Sequence, residues 1–339
     1  MSLDILLLAG SMKFSVSSFH SMTRIAVTGA TGFVGRSLVA HLQRESVDVV
    51  AITRTRPPGG NSLVNIHFCS DYLDTALLAE LFCSCDVVIH LAALAHQVSR
   101  SSSAIELNAY RRANLESLVS VARAASQAGV RRLVFVSSIG VNGSSTDGTP
   151  FTETDQPLPS EPYAITKLEA ERALAEELLD SSTDWVVLRP PLVYGPGSPG
   201  NLERLIRLAS SAPVLPFGSV HALRTLISID NLIDALLIAS HHPAVSRRVF
   251  VVADSEDIDV AAILKAFLLG LGRGTWRLFP VPPFLIGLLL NLLGKKALWH
   301  KFSGELRVDS SSFCRATGWV PAVRPQDGLR LAAASTRSS

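Results

Sequence analysis

The sequence is poor in features that would place it at once in several functional classes. It has four cysteines in 339 residues, and none of them has the paired C-x-x-C spacing of a zinc site. We therefore expect no metal site, and reduced thiols in a cytoplasmic protein. Lysine and arginine number 31 against 29 acidic residues, a balance that gives no reason to expect a nucleic-acid partner. The cysteines are Cys69, Cys83, Cys85 and Cys314.

The sequence also offers little apolar length for crossing a membrane. The run FLIGLLLNLLG, residues 284–294, is about half as long as the ~20 residues that span a bilayer. One interpretation is a buried or half-buried helix. The other is a peripheral membrane contact through residues 284–299, in which Lys295, Lys296 and Trp299 flank the run.

The first 21 residues differ in character from the rest of the chain. The apolar run Ile5–Ala9 has no basic residue before it, and Asp4 lies where a signal peptide is positively charged. We expect residues 1–21 to be a disordered tail or the product of a misplaced start codon, with the folded domain beginning at Met22.

From residue 24 to about residue 193, short apolar runs alternate with helical patterns. The runs are apolar throughout, which is typical of strands in a parallel sheet that is covered on both faces. Strands are predicted at 25–28, 47–53, 65–69, 87–91, 132–137, 185–189 and 249–252. Helices are predicted at 36–44, 73–82, 104–128, 163–179 and 202–210.

This alternation predicts an α/β fold of the Rossmann type, with a doubly wound parallel sheet and a smaller, mostly helical C-terminal domain. Residues 22–195 are expected to form the dinucleotide-binding domain, to which the strand near 249–252 returns. The substrate-binding domain is expected at 196–225 and 256–330, and a tail at 331–339.

Three glycines separate the first predicted strand from the first helix. In TGATGFVG, the spacing of Gly29, Gly32 and Gly35 is G-x-x-G-x-x-G. The first glycine allows a tight turn, the second lets the backbone approach a pyrophosphate, and the third lets the helix pack closely on the strand. The positive end of the helix dipole then faces the phosphates. The sequence therefore predicts a dinucleotide site at this loop.

A second pattern indicates chemistry on a hydroxyl or carbonyl group. In YAITK, Tyr163 and Lys167 are four residues apart on a predicted helix, so they share one face. A lysine ammonium and a positively charged nicotinamide both favour the phenolate form of a nearby tyrosine. Ser138 ends a predicted strand and can hydrogen-bond the same substrate oxygen. We expect Tyr163 to move the proton while a nicotinamide moves the hydride.

Five motifs occur in the order found in extended short-chain dehydrogenases/reductases of the nucleotide-sugar epimerase/dehydratase group, and the chain resembles that family. They are TGATGFVG, VVIHLAA, VFVSSIGVNG, YAITK and LRPPLVYGPG. Within the family, the stretches SSIGVNG, RTLISIDNLIDAL and GELRVDSS are most similar to bacterial O-antigen enzymes. Those enzymes are described as UDP-sugar 4-epimerases or as 4-keto-reductases that make N-acetylquinovosamine-type sugars.

The resemblance implies roles for individual residues. The catalytic positions are Ser138, Tyr163, Lys167 and the supporting Asn114. The implied cofactor contacts are Gly29, Thr31, Gly32, Phe33, Val34, Gly35, Arg54, Arg56, Asp71, Leu91, Ala92, Ala93, Ser137, Tyr163, Lys167 and Pro190. The implied substrate contacts are Ser138 and Tyr163, with Asn201 and Arg224 at the UDP phosphates. Asn201 has the alternative role of a helix cap, and Arg224 that of an ordinary surface arginine.

The end of the second predicted strand bears on cofactor choice. NAD binders place an acidic residue there for the ribose 2′-hydroxyl, whereas this chain has Arg54 and Arg56 after Thr53. Two arginines suit a 2′-phosphate, so NADP(H) is expected to be preferred, with NAD(H) as the alternative.

A preference for NADP(H) indicates that the reaction is the reduction of a UDP-4-keto-6-deoxy-N-acetylhexosamine. A UDP-glucose or UDP-N-acetylglucosamine 4-epimerase with bound NAD is the alternative, and a non-catalytic dinucleotide-binding module is a remote one. The resemblance also implies a UDP-sugar substrate and a homodimer formed through helices 104–128 and 163–179.

Overall fold

The computed structural model describes residues 24–54, 66–95, 103–292, 294, 299 and 303–337. The predicted tail at 1–21, Arg56, Lys295 and Lys296 lie outside these described residues. In chain order the strands are β1 (Arg24–Thr28), β2 (Asp48–Thr53), β3 (Ile66–Phe68), β4 (Val87–His90), β5 (Arg132–Val136), β6 (Asp184–Arg189), β7 (Leu192–Tyr194), β8 (Leu223–Arg224), β9 (Leu226–Ser228), β10 (Arg248–Val251) and β11 (Ile258–Asp259).

Helices pack between and beside these strands. They are α1 (Phe33–Arg44), α2 (Thr75–Phe82), α3 (Ser103–Tyr110), α4 (Ser117–Gln127), α5 (Pro162–Glu177), α6 (Asn201–Ser211), α7 (Ile229–His241), α8 (Val260–Gly270), α9 (Pro283–Leu292), α10 (Ser311–Thr317) and α11 (Pro325–Ser335).

Seven of the described strands form one parallel sheet in the order β10-β6-β5-β4-β1-β2-β3. This order is that of a doubly wound Rossmann sheet, so the predicted fold class is confirmed. β1 lies at the switch point of the chain, where Thr28 pairs with Ile52 on one side and with His90 on the other. A crevice outside the carboxyl ends of β1 and β4 is the place where such sheets bind ligands.

The two faces of the sheet are covered by different helices. Alternate residues of β1 point to opposite faces, so Ile25 belongs to one core cluster and Ala26 to the other. The first cluster includes Leu38 of α1 and Leu232 of α7. The second includes residues of α2, α4 and α5, among them Leu174. Burial on both faces explains why the strands are apolar throughout.

Two features differ from the sequence expectation. The helix predicted at 104–128 is interrupted by a π-helical segment, Arg111–Glu116, between α3 and α4. The tail predicted from residue 331 is wrong as far as Ser335, because α11 continues to that residue. Its small residues Ala332 and Ala333 are fully buried, and a Cβ built on Gly270 of α8 would lie 3.0 Å from Ala333 Cβ.

A smaller core centred on α8 joins residues from the two segments predicted to form the substrate-binding domain, 196–225 and 256–330. It gathers Leu202 and Ile206 of α6, Leu264 and Phe267 of α8, and Leu329 of α11. None of the helices described here is both long and apolar enough to cross a membrane.

Candidate active site

The glycine loop between β1 and α1 is packed so tightly that two of its glycines have no room for a side chain. Gly29 has φ +69°, and a Cβ on it would lie 2.7 Å from the backbone nitrogen of Ala92. A Cβ on Gly35 would lie 2.2 Å from the carbonyl oxygen of Gly29. The N-cap of α1 is Gly32, which has no side chain to occupy the amides of the first helical turn. These features fit the loop to a dinucleotide diphosphate.

A pocket of about 470 Å³ opens at this loop. Residues from the ends of β1, β2 and β4 and from the segment after β3 line it, so the sheet's switch point supplies its walls. Seven of the predicted cofactor contacts lie there together with three residues that were not predicted, Thr53, Ser70 and Tyr72. The predicted ones are Gly29, Thr31, Gly32, Arg54, Leu91, Ala92 and Ala93.

A second pocket, of about 340 Å³, adjoins the first and shares Arg54, Ser70 and Tyr72 with it. Asp71, predicted to lie near the adenine, lines this second pocket. Its carboxylate accepts a hydrogen bond from Arg112 at 2.8 Å, and both side chains are more than half exposed. Phe33 and Val34 instead pack against the core under the first turn of α1.

Tyr72 organises the loop, and the sequence analysis missed it. Its hydroxyl donates to Ile52 O at 3.1 Å and accepts from Gly29 N at 3.0 Å, which ties the end of β2 to the glycine turn. Burial raises the pKa of Tyr72, so the hydroxyl keeps the proton that it donates. The guanidinium carbon of Arg54 lies 5.9 Å from the centre of the Tyr72 ring. The available signal was an aromatic residue next to the predicted Asp71.

Tyr163 and Lys167 lie in the first turns of α5, which begins with Pro162 at its first position. Lys167 is 1% exposed, and its Nζ donates to Val136 O at 2.8 Å. The same Nζ lies 4.4 Å from the centre of the Phe135 ring and 5.8 Å from that of Tyr163. The amine is therefore fixed between the carboxyl end of β5 and the phenol.

Ser138 lies in a turn that approaches the start of α5. It follows β5 and caps a short 3₁₀ turn, where its Oγ accepts from Gly140 N at 3.1 Å. A Cβ on Gly140 would lie 3.4 Å from the Cβ of Ala164, the residue after Tyr163. The close approach of this turn to α5 brings Ser138 beside the start of the helix that bears Tyr163.

Burial governs the acid–base state of both groups on α5. It raises the pKa of Tyr163 to about 12 and lowers the pKa of Lys167 to about 7. The sequence analysis expected the ammonium to favour the phenolate, and in the structure desolvation of the phenol outweighs that effect. A positive charge brought by an oxidised nicotinamide would act against the desolvation.

Asn114 connects the pocket side of the site to α5. It is buried within the π-helical segment, and its Oδ1 accepts from Leu94 N at 2.8 Å. Its Nδ2 donates to Thr166 Oγ1 at 3.1 Å. Since Leu94 lines the second pocket, this one amide holds the loop after β4 against the helix of Tyr163. The π-helical turn explains how a residue in mid-helix can face both partners.

Behind the site lies a buried ionic network that the sequence analysis did not predict. Glu171, one turn after Lys167, receives a bidentate pair from Arg189, with Nη2 at 2.5 Å and Nε at 2.9 Å. Arg189 also donates to Asn142 at 3.0 Å. Ser137, predicted to contact the cofactor, donates its hydroxyl proton to Glu171.

Pro190, another predicted cofactor contact, supports the turn that contains Ser138. Its carbonyl accepts a hydrogen bond from Ile139 N at 3.0 Å.

The predicted phosphate contacts lie in the smaller domain and line neither pocket. Asn201 is exposed at the start of α6, whose N-cap is Gly200, so the alternative role of a cap was wrong. Arg224 lies on β8, where it pairs with Ile258 of β11. It is half-buried, and burial lowers its pKa, so it is not an ordinary surface arginine.

Comparison with known proteins adds independent findings. The family model described as the NAD dependent epimerase/dehydratase family matches residues 25–253. A relative named UDP-glucose 4-epimerase, from Vibrio cholerae, is 36% identical over 313 residues, which cover 91% of this chain and 94% of the relative.

Solved structures agree with this comparison. MoeE5 in complex with UDP-glucose and NAD superposes with a TM-score of 0.71 at 26% identity, over 93% of this chain and 99% of that one. The Bordetella bronchiseptica enzyme WbmG, in complex with NAD and UDP, has a TM-score of 0.73 at 20% identity, over 94% and 95% of the two chains. At that identity the second likeness concerns the fold alone.

Proposed function

The chain belongs to the NAD-dependent epimerase/dehydratase family, and from this membership we propose that it is an oxidoreductase acting at C4 of a UDP-hexose. The observation that supports the proposal is the position of Lys167, whose Nζ lies 5.8 Å from the Tyr163 ring and donates to Val136 O at the end of β5, two residues before Ser138. The choice of a UDP-sugar is supported by the V. cholerae relative, which is named for UDP-glucose, and by MoeE5, solved with UDP-glucose and NAD.

The residues around the glycine loop would hold the cofactor, with Gly29, Gly32 and the first amides of α1 at its diphosphate. When bound, a nicotinamide supplies or accepts the hydride at C4. Tyr163 would exchange the proton of the C4 oxygen. Ser138 would donate a hydrogen bond to the same oxygen, because a hydroxyl whose Oγ accepts from Gly140 N can still donate its own proton. Lys167 would orient the phenol and, when charged, stabilise its anion.

We propose reduction of a UDP-4-keto-6-deoxy-N-acetylhexosamine, in O-antigen or cell-surface polysaccharide synthesis, as the reaction. A phenol with its pKa raised to about 12 is protonated at neutral pH, and ketone reduction needs that form as its proton donor. Arg54 lines the cofactor pocket, and β2 ends in Thr53 without a carboxylate. Both features favour NADP(H) over NAD(H), and NADPH is the usual reductant of biosynthesis.

A second candidate is 4-epimerisation, which the name of the V. cholerae relative favours. In that reaction Tyr163 would first take the proton of the C4 hydroxyl and later return it. The enzyme would begin with an oxidised nicotinamide, whose positive charge lowers the pKa of a nearby phenol.

The two reactions are separated by what each consumes. The full chain is incubated with a UDP-4-keto-6-deoxy-N-acetylhexosamine and NADPH, and separately with UDP-N-acetylglucosamine or UDP-glucose without added reductant, and the products are identified by NMR. Reduction predicts stoichiometric NADPH loss in the first mixture only. Product in the second mixture alone would replace reduction by epimerisation.

The same two mixtures test the role of Tyr163. If turnover in either mixture is unchanged in Tyr163→Phe, the proposed catalytic role is refuted. If neither mixture turns over, a binding module becomes the better description.

The cofactor proposal has its own test. Arg54→Ala should weaken NADPH binding by tenfold or more and leave NADH binding nearly unchanged, because a charge-assisted contact to the 2′-phosphate is lost. Arg44→Ala is the matched control, since Arg44 is an exposed arginine at the end of α1 whose Nε binds Ala40 O of its own helix. Equal losses for the two cofactors, or tighter binding of NADH by the unchanged chain, would contradict the preference.

We further propose a homodimer through the helices over 103–127 and 162–177. Two ion pairs tie these helices together within one chain, Arg111 with Glu169 at 2.7 Å and Arg123 with Glu177 at 2.9 Å. They hold the two helices as one surface that a second copy could pack against. Light scattering on the purified chain tests this, and a monomeric mass at micromolar concentration would contradict it.

A further inference from the structure

Helix α9 turns an apolar face outward. Residues three or four positions apart lie on one side of a helix, and the five on this side are exposed by 44% to 76%. The outward face of a surface helix is normally polar or charged. Here it consists of Phe284, Leu285, Leu288, Leu289 and Leu292.

The opposite face of α9 is fixed to the protein. Ile286 is 5% exposed and belongs to the core of the smaller domain, with Leu290 packed against the same core. At Gly287 the helix lies so close to Trp299 that a Cβ would be 2.8 Å from the indole Nε1. The packing of the inner face therefore fixes the orientation of α9 and keeps its apolar outer face exposed.

The segment that leads into α9 also exposes two large aromatic side chains. Trp276 is 76% exposed and Phe279 is 56% exposed. We call these two residues and the five of α9 the α9 patch. Exposed apolar patches of this kind mark sites of interaction with a protein or a membrane.

The stretch of sequence that contains α9 carries charges of one sign. From Val260 to Gly304 the sequence contains no Asp or Glu, and of the basic residues that the structure describes in this range, Lys265 and Arg273 are exposed. A second copy of the chain seated on the patch would bring two basic segments together, which is unfavourable. An anionic surface would instead be complementary. The basic residues in this range are Lys265, Arg273, Arg277, Lys295, Lys296 and Lys301.

The size of the helix fits a position in the plane of a membrane surface. α9 has 10 residues and is about 15 Å long, which is half the thickness of a bilayer core. Such a helix can bury its apolar face at the boundary between headgroups and acyl chains. Tryptophan is enriched at this boundary because its ring is apolar and its N–H is polar.

We propose that the α9 patch docks the protein on an anionic lipid surface. The apolar side chains of α9 enter the headgroup region, and the exposed Lys265 and Arg273 lie near the lipid phosphates. This docking is independent of the reaction proposed above, because no residue of the α9 patch lines either pocket at the glycine loop.

Flotation with vesicles tests the proposal on the full chain. The vesicles contain phosphatidylcholine with or without about a third of phosphatidylglycerol. The chain should float with the anionic vesicles, bind the neutral ones less, and lose affinity in 0.5 M salt. Leu288→Glu with Leu289→Glu should weaken binding at least tenfold, while Leu179→Glu with Val320→Glu, also exposed, should not.

A second measurement follows Trp276, which is exposed in the free protein. Its fluorescence should shift to shorter wavelength when anionic vesicles are added, and Trp276→Phe should remove most of the shift. Absence of vesicle binding at low salt, or equal binding by the Leu288→Glu/Leu289→Glu variant, overturns the proposal. A dimer that dissociates in that variant, without vesicle binding, would make the patch a contact between two copies and also overturn it. Thermal unfolding of each variant shows that it is folded.

Discussion

Replacing Lys167 by methionine should stabilise the fold while it abolishes turnover. The amine is buried and its pKa is lowered to about 7 from an ordinary value of 10.5, mainly by desolvation. A buried amine that is charged at neutral pH is a cost to the folded state. Methionine has a similar length and no charge, so it removes that cost and fills the same space.

The size of the effect follows from the contacts of the amine. A tenfold change in proton affinity is about 1.4 kcal/mol, so lowering the pKa from 10.5 to about 7 destabilises the charged form by roughly 5 kcal/mol. Methionine loses the hydrogen bond to Val136 O and the contact with the Phe135 ring. These losses amount to about 2–3 kcal/mol, because the carbonyl is left unpaired. The expected net gain is about 2 kcal/mol near neutral pH.

The gain should depend on pH in one direction. Between pH 7 and pH 10.5 the unfolded chain still binds the lysine proton, whereas most folded molecules do not. The wild-type free energy of unfolding therefore rises with pH in this window because of Lys167. Below pH 7 both states are protonated, and the penalty is constant. The advantage of Lys167→Met should be largest at and below pH 7 and should shrink toward pH 10.5.

Urea unfolding of both proteins at pH 6.5, 8.5 and 10 measures this difference, and subtracting the two curves removes the titration of other groups. Lys265→Met is the matched control, because Lys265 is exposed on α8 and its removal should change stability by less than about 0.5 kcal/mol. If Lys167→Met is less stable than the wild type at pH 6.5, or if the difference does not vary with pH, the argument from burial is refuted.

Three further substitutions test other parts of the site. Gly35→Ala should lower both the stability of the fold and the affinity for the cofactor, since its Cβ would lie 2.2 Å from Gly29 O. An unchanged dissociation constant for the cofactor, measured by calorimetry, would contradict this. Tyr72→Phe should raise the KM for the cofactor several-fold with kcat nearly unchanged, because Gly29 N loses its acceptor; a loss in kcat alone would contradict that role. Glu171→Gln should destabilise by about 3–5 kcal/mol, because the guanidinium of Arg189 is left buried without its carboxylate, and a change in Tm of less than about 2 °C would speak against it.

The sequence predicted the parts of the molecule that depend on local patterns. Buried parallel strands are continuous apolar runs, so β1, β4 and β5 could be located to within a residue or two. The glycine loop was predictable because only glycine fits where backbones come this close, as at Gly29 and Gly35. The motifs also indicated the family, which the comparisons confirm.

The features that the sequence did not predict depend on contacts between distant residues. Tyr72 acts on Gly29, 43 positions away, and nothing near it in the chain indicates that its hydroxyl would bind two backbone groups. Glu171 and Arg189 belong to different elements, and each alone is an ordinary helix or strand residue. The π-helical turn at Asn114 depends on a side chain held between Leu94 and Thr166. Such contacts can be identified only when the spatial arrangement of the strands and helices is known.

The position of Glu171 explains why Lys167 can keep a lowered pKa beside a carboxylate. The two residues are one helical turn apart, a spacing at which a free carboxylate would stabilise the ammonium. Arg189 instead engages both oxygens of Glu171, and Ser137 donates to one of them. The carboxylate of Glu171 still raises the pKa of Lys167, but desolvation lowers it by more, so the pKa falls to about 7. The ionic network behind the site thus offsets only part of the desolvation, and none of its members contacts Lys167 through a described hydrogen bond.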